Sequence, residues 1–134
     1  MSQILVDSNV LLDVLTEDAV WFDWSAHNLE ECGARAQLCV NVLIYSEVSI
    51  GFERIEELDA ALPASDFTRL ALPWEAGFLA GKAFLRYRRA KGARRSSLPD
   101  FLIGAHAAIA GLPLLTRDAT RYRTYFPKLE LVCP

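Results

Sequence analysis

Short apolar runs alternate with helix-spaced stretches along the whole chain, and this alternation restricts the fold more than any other feature. Residues 4–6, 38–40, 68–72, 114–116 and 129–132 read as strands. Between them lie helical patterns. The first runs from Val10 to about Leu15, behind Ser8 or Asn9 as cap, and the second covers residues 19–33, with Gly33 as its stop. The third follows Asn41, carries Leu43, Ile44, Glu47, Val48 and Phe52, and continues through residues 54–62 to Pro63. A long helix from Trp74 to about Lys91, one from Asp100 to Ala110 opened by Pro99 and closed by Gly111, and a short one from Asp118 to Tyr125 complete the pattern. Strands separated by helices pair in parallel through crossovers, so the class is α/β with a mostly parallel sheet of four to five strands. No repeat or linker interrupts it, and one domain over residues 1–134 is expected.

Of the 134 residues, 52% are hydrophobic, enough for a core that needs no disulfide or structural metal. Cys32, Cys39 and Cys133 make an odd count without Cys-x-x-Cys spacing, and they read as free thiols in a reducing compartment. Asp7 interrupts the first apolar run, no basic segment precedes it, and no run reaches the ~18 apolar residues of a membrane span. The expected location is the cytoplasm.

Charge is divided unevenly. Residues 1–66 hold thirteen acids against Arg35 and Arg54, whereas residues 67–134 hold four acids against twelve basic residues. Seven basic residues and no acid lie between Lys82 and Arg95. That segment is the expected surface for a polyanion, with Lys82, Arg86 and Arg89 at helical spacing and Arg94 and Arg95 in the following loop.

Ile4, Leu5 and Val6 suit a buried strand, yet Asp7 follows at once. Near the other end Asp118 follows PLLTR in the same way. Ligands of open parallel sheets bind outside the carboxyl ends of the strands, which is where both acids fall. Asp100 lies in the first turn of a helix whose face carries Ile103, Gly104 and Ala107, small enough for close approach to a neighbour. Glu47 has Ile44, Val48 and Gly51 beside it in helical space. Each acid has an ordinary explanation taken singly: Asp7 as a helix cap, Asp100 and Asp118 as helix N-terminal acids, Glu47 as the partner of an arginine. Four carboxylates gathered together repel, and at least one takes up a proton unless a cation joins them. An all-oxygen set suits Mg²⁺ or Mn²⁺.

The motifs DSNVLLDVL, NVLIYSEV, LPDFLIGAHAAIAG and LLTRDATRYRTYFP together resemble a PIN domain, closest to the VapC-type toxin ribonucleases, from Ile4 to about Leu131. The resemblance implies a three-layer α/β/α sandwich and a magnesium- or manganese-dependent endoribonuclease acting on RNA. It also implies inhibition by a small cognate antitoxin and a homodimer, with higher toxin–antitoxin assemblies in view. Asp7, Glu47, Asp100 and Asp118 match the family's acidic quartet, and Asn9 and Thr116 match polar positions of the same pocket. Asn41 departs from the Ser or Thr found there in relatives. Asp7, Asp100 and Asp118 are the expected metal ligands; Glu47 is either a ligand of a second ion or a general base. By analogy the antitoxin groove involves Trp21 and Trp24 of the WFDW cluster and the helix over residues 54–62, here represented by Leu58 and Leu62. Arg121 and Tyr122 are expected to brace the last short helix, and His106 to be structural or exposed.

Three other readings compete. One is a PIN nuclease outside a toxin pair, working on DNA or in RNA processing. Another is a phosphoryl-transfer enzyme of the haloacid dehalogenase kind, but that chemistry needs a second Asp where Asn9 stands. The last is a non-catalytic RNA-binding or scaffold protein that keeps the fold, which has no use for costly buried acids.

Overall fold

The computed structural model describes residues 2–90 and 96–134. Strands β1 (Gln3–Val6), β2 (Gln37–Val40), β3 (Phe67–Arg69), β4 (Leu114–Leu115) and β5 (Leu131–Val132) form one sheet in the order β3-β2-β1-β4-β5. Every pairing is parallel. Helices cover the sheet in a three-layer α/β/α arrangement. They are α1 (Ser8–Leu15), α2 (Phe22–Arg35), α3 (Val42–Ser49), α4 (Ile55–Ala61), α5 (Trp74–Arg89), α6 (Leu98–Ala110) and α7 (Thr120–Tyr125).

β1 is central, and Ile4, Leu5 and Val6 are all buried, which is why the strand reads as an unbroken apolar run instead of an alternating one. From β1 the chain passes to β2 and β3 on one side, then returns through α5 and α6 to β4 on the other. The order of the strands therefore reverses between β1 and β4. In an open parallel sheet that reversal opens a crevice at the carboxyl ends of the two strands.

Several boundaries differ from the sequence expectation. α2 begins at Phe22 and runs through Gly33 to Arg35, ending where Ala36 turns extended to enter β2. Gly33 is no stop because it lies in the helix against the Leu38 side chain. The helix expected after Asn41 is two helices: α3 ends at Ser49, and α4 starts at Ile55. β3 starts earlier and ends sooner than residues 68–72, since β2 offers it partners only at Leu38, Cys39 and Val40. β5 is confined to the two residues that pair with Leu114 and Leu115.

α6 has clear punctuation. A capping box joins Ser97 to Asp100, Pro99 sits in the first turn, and Gly111 at φ 67° closes the helix in the left-handed region that favours glycine. Phe101 of α6 meets Tyr87 of α5 and Tyr125 of α7 with ring centroids 5.2 and 5.3 Å apart, holding the three helices together. The three cysteines are free thiols. No helix among the described residues is long and apolar enough to cross a membrane.

Candidate active site

Asp7 ends β1 with its backbone N–H still in the sheet, donating to the Leu115 carbonyl at 2.9 Å. It stands at the N-cap of α1, yet its side chain makes no capping bond. The carboxylate instead turns into the crevice, 4% exposed. Oδ2 accepts from the Tyr122 hydroxyl at 2.8 Å, from Thr116 Oγ1 at 2.9 Å and from Asn9 Nδ2 at 3.4 Å. Oδ1 lies 3.5 Å from Ser8 Oγ, a hydroxyl with a nearer acceptor in Glu47 Oε1 at 3.0 Å, and the Ser8 backbone N–H also donates to the Asp7 carboxylate. Burial pushes the Asp7 carboxyl above its ordinary range, and the Tyr122 and Thr116 hydroxyls pull it part of the way back. Burial and the neighbouring Asp7 carboxylate in turn push the Tyr122 hydroxyl well above 10.

Thr116, directly after β4, joins the two strand ends. Its hydroxyl donates to Asp7 and accepts from the Asp118 N–H at 3.1 Å and from Asn9 Nδ2 at 3.2 Å. The Arg117 side chain leaves in the opposite sense. Its Nε donates to Asp13 Oδ2 at 2.7 Å, Ser25 Oγ donates to the same oxygen at 2.8 Å, and the guanidinium lies over the Trp21 ring at 5.4 Å. The turn from Thr116 to Asp118 is thus tied to both α1 and α2. Asp13, buried inside α1, is an acid that motif reading passes over, because nothing in DVL separates it from an exposed helical acid.

Glu47 projects from α3 toward Asp7 through Ser8. Burial raises its carboxyl, the Ser8 hydroxyl opposes that, and the Asp7 and Asp100 carboxylates add to the rise. Asp100 is half-buried in the first turn of α6, where its Oδ2 accepts from the Ser97 N–H at 2.8 Å. Asp118 is more open, with 54% of its side chain exposed. Arg121 connects these two acids: its Nη2 lies 3.8 Å from Asp100 Oδ2 and 3.8 Å from Asp118 Oδ2.

Among the described residues, the carboxylates do not converge into a group that would enclose a metal ion as they stand. Asp100 and Asp118 face Arg121 instead of Asp7. In chemistry the set still fits a hard divalent cation. It is all oxygen, and its innermost member is a carboxylate whose ionisation burial opposes.

α3 and α6, which bear Glu47 and Asp100, are braced by a buried pair. Asn41 Oδ1 accepts from the Ile44 N–H at 3.0 Å, so its amide nitrogen faces His106 Nδ1 at 2.9 Å. That contact fixes Nδ1 as the unprotonated nitrogen, and burial holds the imidazole below its usual 6.5. Between the lowered folded value and the unfolded value near 6.5, only the unfolded chain binds the proton, so stability from this site falls as pH drops below about 6.5. Urea denaturation from about pH 7.5 to about pH 5.5 is expected to show the decline, and His106→Gln to flatten it. An identical decline in the variant would assign it to other groups.

The PIN domain family profile matches residues 4–127. The chain belongs to the PIN domain family. Solved structures with the same fold include VapBC2 from Rickettsia felis bound to a DNA fragment from its promoter, at TM-score 0.70 and 17% identity over 98% of each chain. A toxin–antitoxin complex from Klebsiella pneumoniae superposes at TM-score 0.69 with 21% identity, over 96% of this chain and 95% of that one. FitAcB from Neisseria gonorrhoeae gives 0.65 and 15%, over 96% and 95%. At these identities the likeness is one of fold. No curated protein matches the sequence.

In this PIN domain, the remaining residues singled out from the sequence have varied surroundings. Lys82, Arg86 and Arg89 are exposed on α5, with Lys82 over the Phe78 ring and Arg86 over Tyr125. Arg94 and Arg95 lie outside the described residues. Trp21 and Trp24 are half-buried and meet edge to face at 6.1 Å. Leu58 and Leu62 correct the expectation for a partner groove. They are 2% and 3% exposed and belong to the core, because α4 turns its apolar side inward. The open apolar side chains nearby are Val42, Ile50 and Ile55, at the start of α3 and around the break between α3 and α4. Arg121 and Tyr122 do more than brace α7, since both reach acids of the crevice. Ser8 is a further site residue, joined to Glu47, and its place between Asp7 and Asn9 is the sequence signal for it.

Proposed function

We propose that this PIN domain is a divalent-metal-dependent endoribonuclease of the VapC type, held inactive by a cognate antitoxin. The observation that carries the reading is the buried Asp7 carboxylate at the reversal between β1 and β4, linked to Glu47 through the Ser8 hydroxyl, with Asp100 and Asp118 paired by Arg121. Asp7, Asp100 and Asp118 would hold Mg²⁺ or Mn²⁺. Such an ion supplies an activated water and neutralises charge that builds on the phosphate oxygens.

The chain's own groups do the rest. Tyr122, Thr116 and Asn9 anchor one oxygen of Asp7 and so fix the orientation of its carboxylate. Glu47, its carboxyl raised by burial and by two neighbouring acids, is suited to take the proton from the attacking water at its carboxylate oxygen. The water oxygen bonds to phosphorus, the bridging phosphorus–oxygen bond breaks, and the sugar oxygen departs with a proton from solvent. Lys82, Arg86 and Arg89, together with Arg94 and Arg95, would follow the RNA backbone and position it without reading its bases.

Partners follow from exposed apolar surface. Trp74 (92% exposed), Phe78 and Leu85 are at helical spacing on α5, an exposed apolar surface that would suit a second copy of the chain. The exposed Val42, Ile50 and Ile55 would suit an antitoxin helix. The toxin reading is supported by likeness in fold, over nearly all of both chains, to a protein solved as a toxin–antitoxin complex.

One experiment with two arms tests the nuclease. Total RNA incubated with the protein and Mg²⁺ or Mn²⁺ is expected to yield discrete cuts that EDTA abolishes. Arg86→Glu with Arg89→Glu is expected to weaken RNA binding and lower its dependence on salt by about 2 in log–log slope. Cleavage that persists in EDTA would refute the metal chemistry, and an unchanged salt slope would move the RNA path off α5.

A further inference from the structure

Arg121 sits where a cation is wanted. Its Nη2 is 3.8 Å from one oxygen each of Asp100 and Asp118, acids that come from α6 and from the turn before α7. Its other edge is anchored: Nε donates to Ser96 Oγ at 2.8 Å, and the guanidinium lies 5.3 Å over the Tyr122 ring. The side chain is mostly buried, at 18% exposed. Its charge is felt deeper in the crevice, where it favours the ionised forms of both Asp7 and Glu47. Arg117, a second arginine at this edge, is committed to Asp13.

We propose that Arg121 pairs with Asp100 and Asp118 while the crevice lacks a divalent ion, and passes to the RNA phosphate once such an ion takes those carboxylates. This rests on the nuclease reading above and assigns the step that precedes it. Four neighbouring carboxylates without a counter-ion would repel, and Arg121 supplies a counter-ion from within the chain. A guanidinium and a divalent ion on the same two oxygens would repel each other in turn, so binding of one opposes the other. Released from the acids, Arg121 remains held at Nε by Ser96 and at its face by Tyr122. Its Nη atoms are then unpaired beside the site where the phosphodiester must lie, and the planar fork of an arginine matches phosphate in two-point contact. Metal and Arg121 compete for the acids, whereas metal and RNA assist each other through Arg121.

That coupling gives Arg121→Gln opposite effects on two ligands. Calorimetric titration with Mn²⁺ alone is expected to show about tenfold tighter binding in the variant, the amount that two partly exposed ion pairs are ordinarily worth together. Anisotropy of a phosphorothioate RNA oligonucleotide in saturating Mn²⁺ is expected to show binding about tenfold weaker, from loss of the charged two-point contact. An arginine that only supported the fold would weaken both. Arg121→Lys retains the charge without the fork, so it should keep Mn²⁺ affinity near that of the unaltered protein and still lose RNA affinity; it also serves if the glutamine variant fails to fold. Unchanged or weaker Mn²⁺ binding in a folded Arg121→Gln protein would overturn this role alone. Failure of the unaltered protein to take up Mn²⁺, or uptake undiminished by Asp7→Asn, would overturn the metal site and this role together.

Discussion

Asp7→Asn is expected to abolish RNA cleavage, by about a thousandfold or more, while leaving the protein at least as stable as before. The loss follows from removing the innermost charged ligand. Stabilisation of charge by a bound metal contributes several kcal/mol to such reactions, and about 4 kcal/mol is a thousandfold in rate. The stability follows from burial, which raises the Asp7 carboxyl above its ordinary range in the folded protein. A carboxyl raised on folding binds its proton more readily in the native state, so stability is lost as pH rises through the folded value and the group ionises. Asparagine carries no charge to desolvate, and its carbonyl still accepts from the Tyr122 hydroxyl. Thermal melts at neutral pH without metal are expected to place the variant at or above the unaltered protein. With Mn²⁺, only the unaltered protein should gain in Tm, since only it retains the full site. Full activity in Asp7→Asn would eliminate the proposed chemistry, and a large fall in Tm would make Asp7 a structural residue.

Gly104→Ala should have the second largest effect, through packing. A Cβ at this position would stand 2.7 Å from Phe126 Cε2 and 2.8 Å from both Phe126 Cδ2 and Tyr122 Cδ1. Both rings are almost fully buried, 4% and 1% exposed, and neither can swing into solvent. Either α6 moves away from α7 or the rings leave their positions. Overpacking of this kind costs roughly 1–3 kcal/mol, which for a chain of this size lowers Tm by several degrees. Because the Tyr122 hydroxyl is one of the donors on Asp7, displacement of the ring should also lower cleavage beyond what the lost stability explains. The check is kcat measured well below the variant's Tm. A variant with unaltered Tm would show that α6 has room to spare. Reduced Tm with full kcat would show that Tyr122 is dispensable to the site.

The two substitutions mark two kinds of information. Asp7 could be singled out before any coordinates, because a carboxylate directly after a buried apolar strand is costly without a partner, and because the same arrangement recurs at Asp118. The close approach at Gly104 was legible as a small-residue face on an apolar helix. What it approaches was not, since Tyr122 and Phe126 lie on another element with no periodic link to α6. The same limit explains Leu58 and Leu62. In a seven-residue helix with Glu56, Glu57 and Asp59, the apolar positions face either a groove or the core, and only the path of α4 over its neighbours decides which.

Local pattern was enough for the alternation of strands and helices, the parallel class, the positions of the four acids at strand ends and helix faces, and the end of α6 at Gly111. These are local matters of hydrophobic period, backbone freedom and charge next to apolar residues. Only the tertiary structure decided that the strand order reverses between β1 and β4, that Tyr122 and Thr116 converge on one oxygen of Asp7, and that Arg121 stands between Asp100 and Asp118. Those contacts join residues more than a hundred positions apart, or side chains long enough to reach several partners. Their choice depends on how the layers pack, which no local pattern encodes.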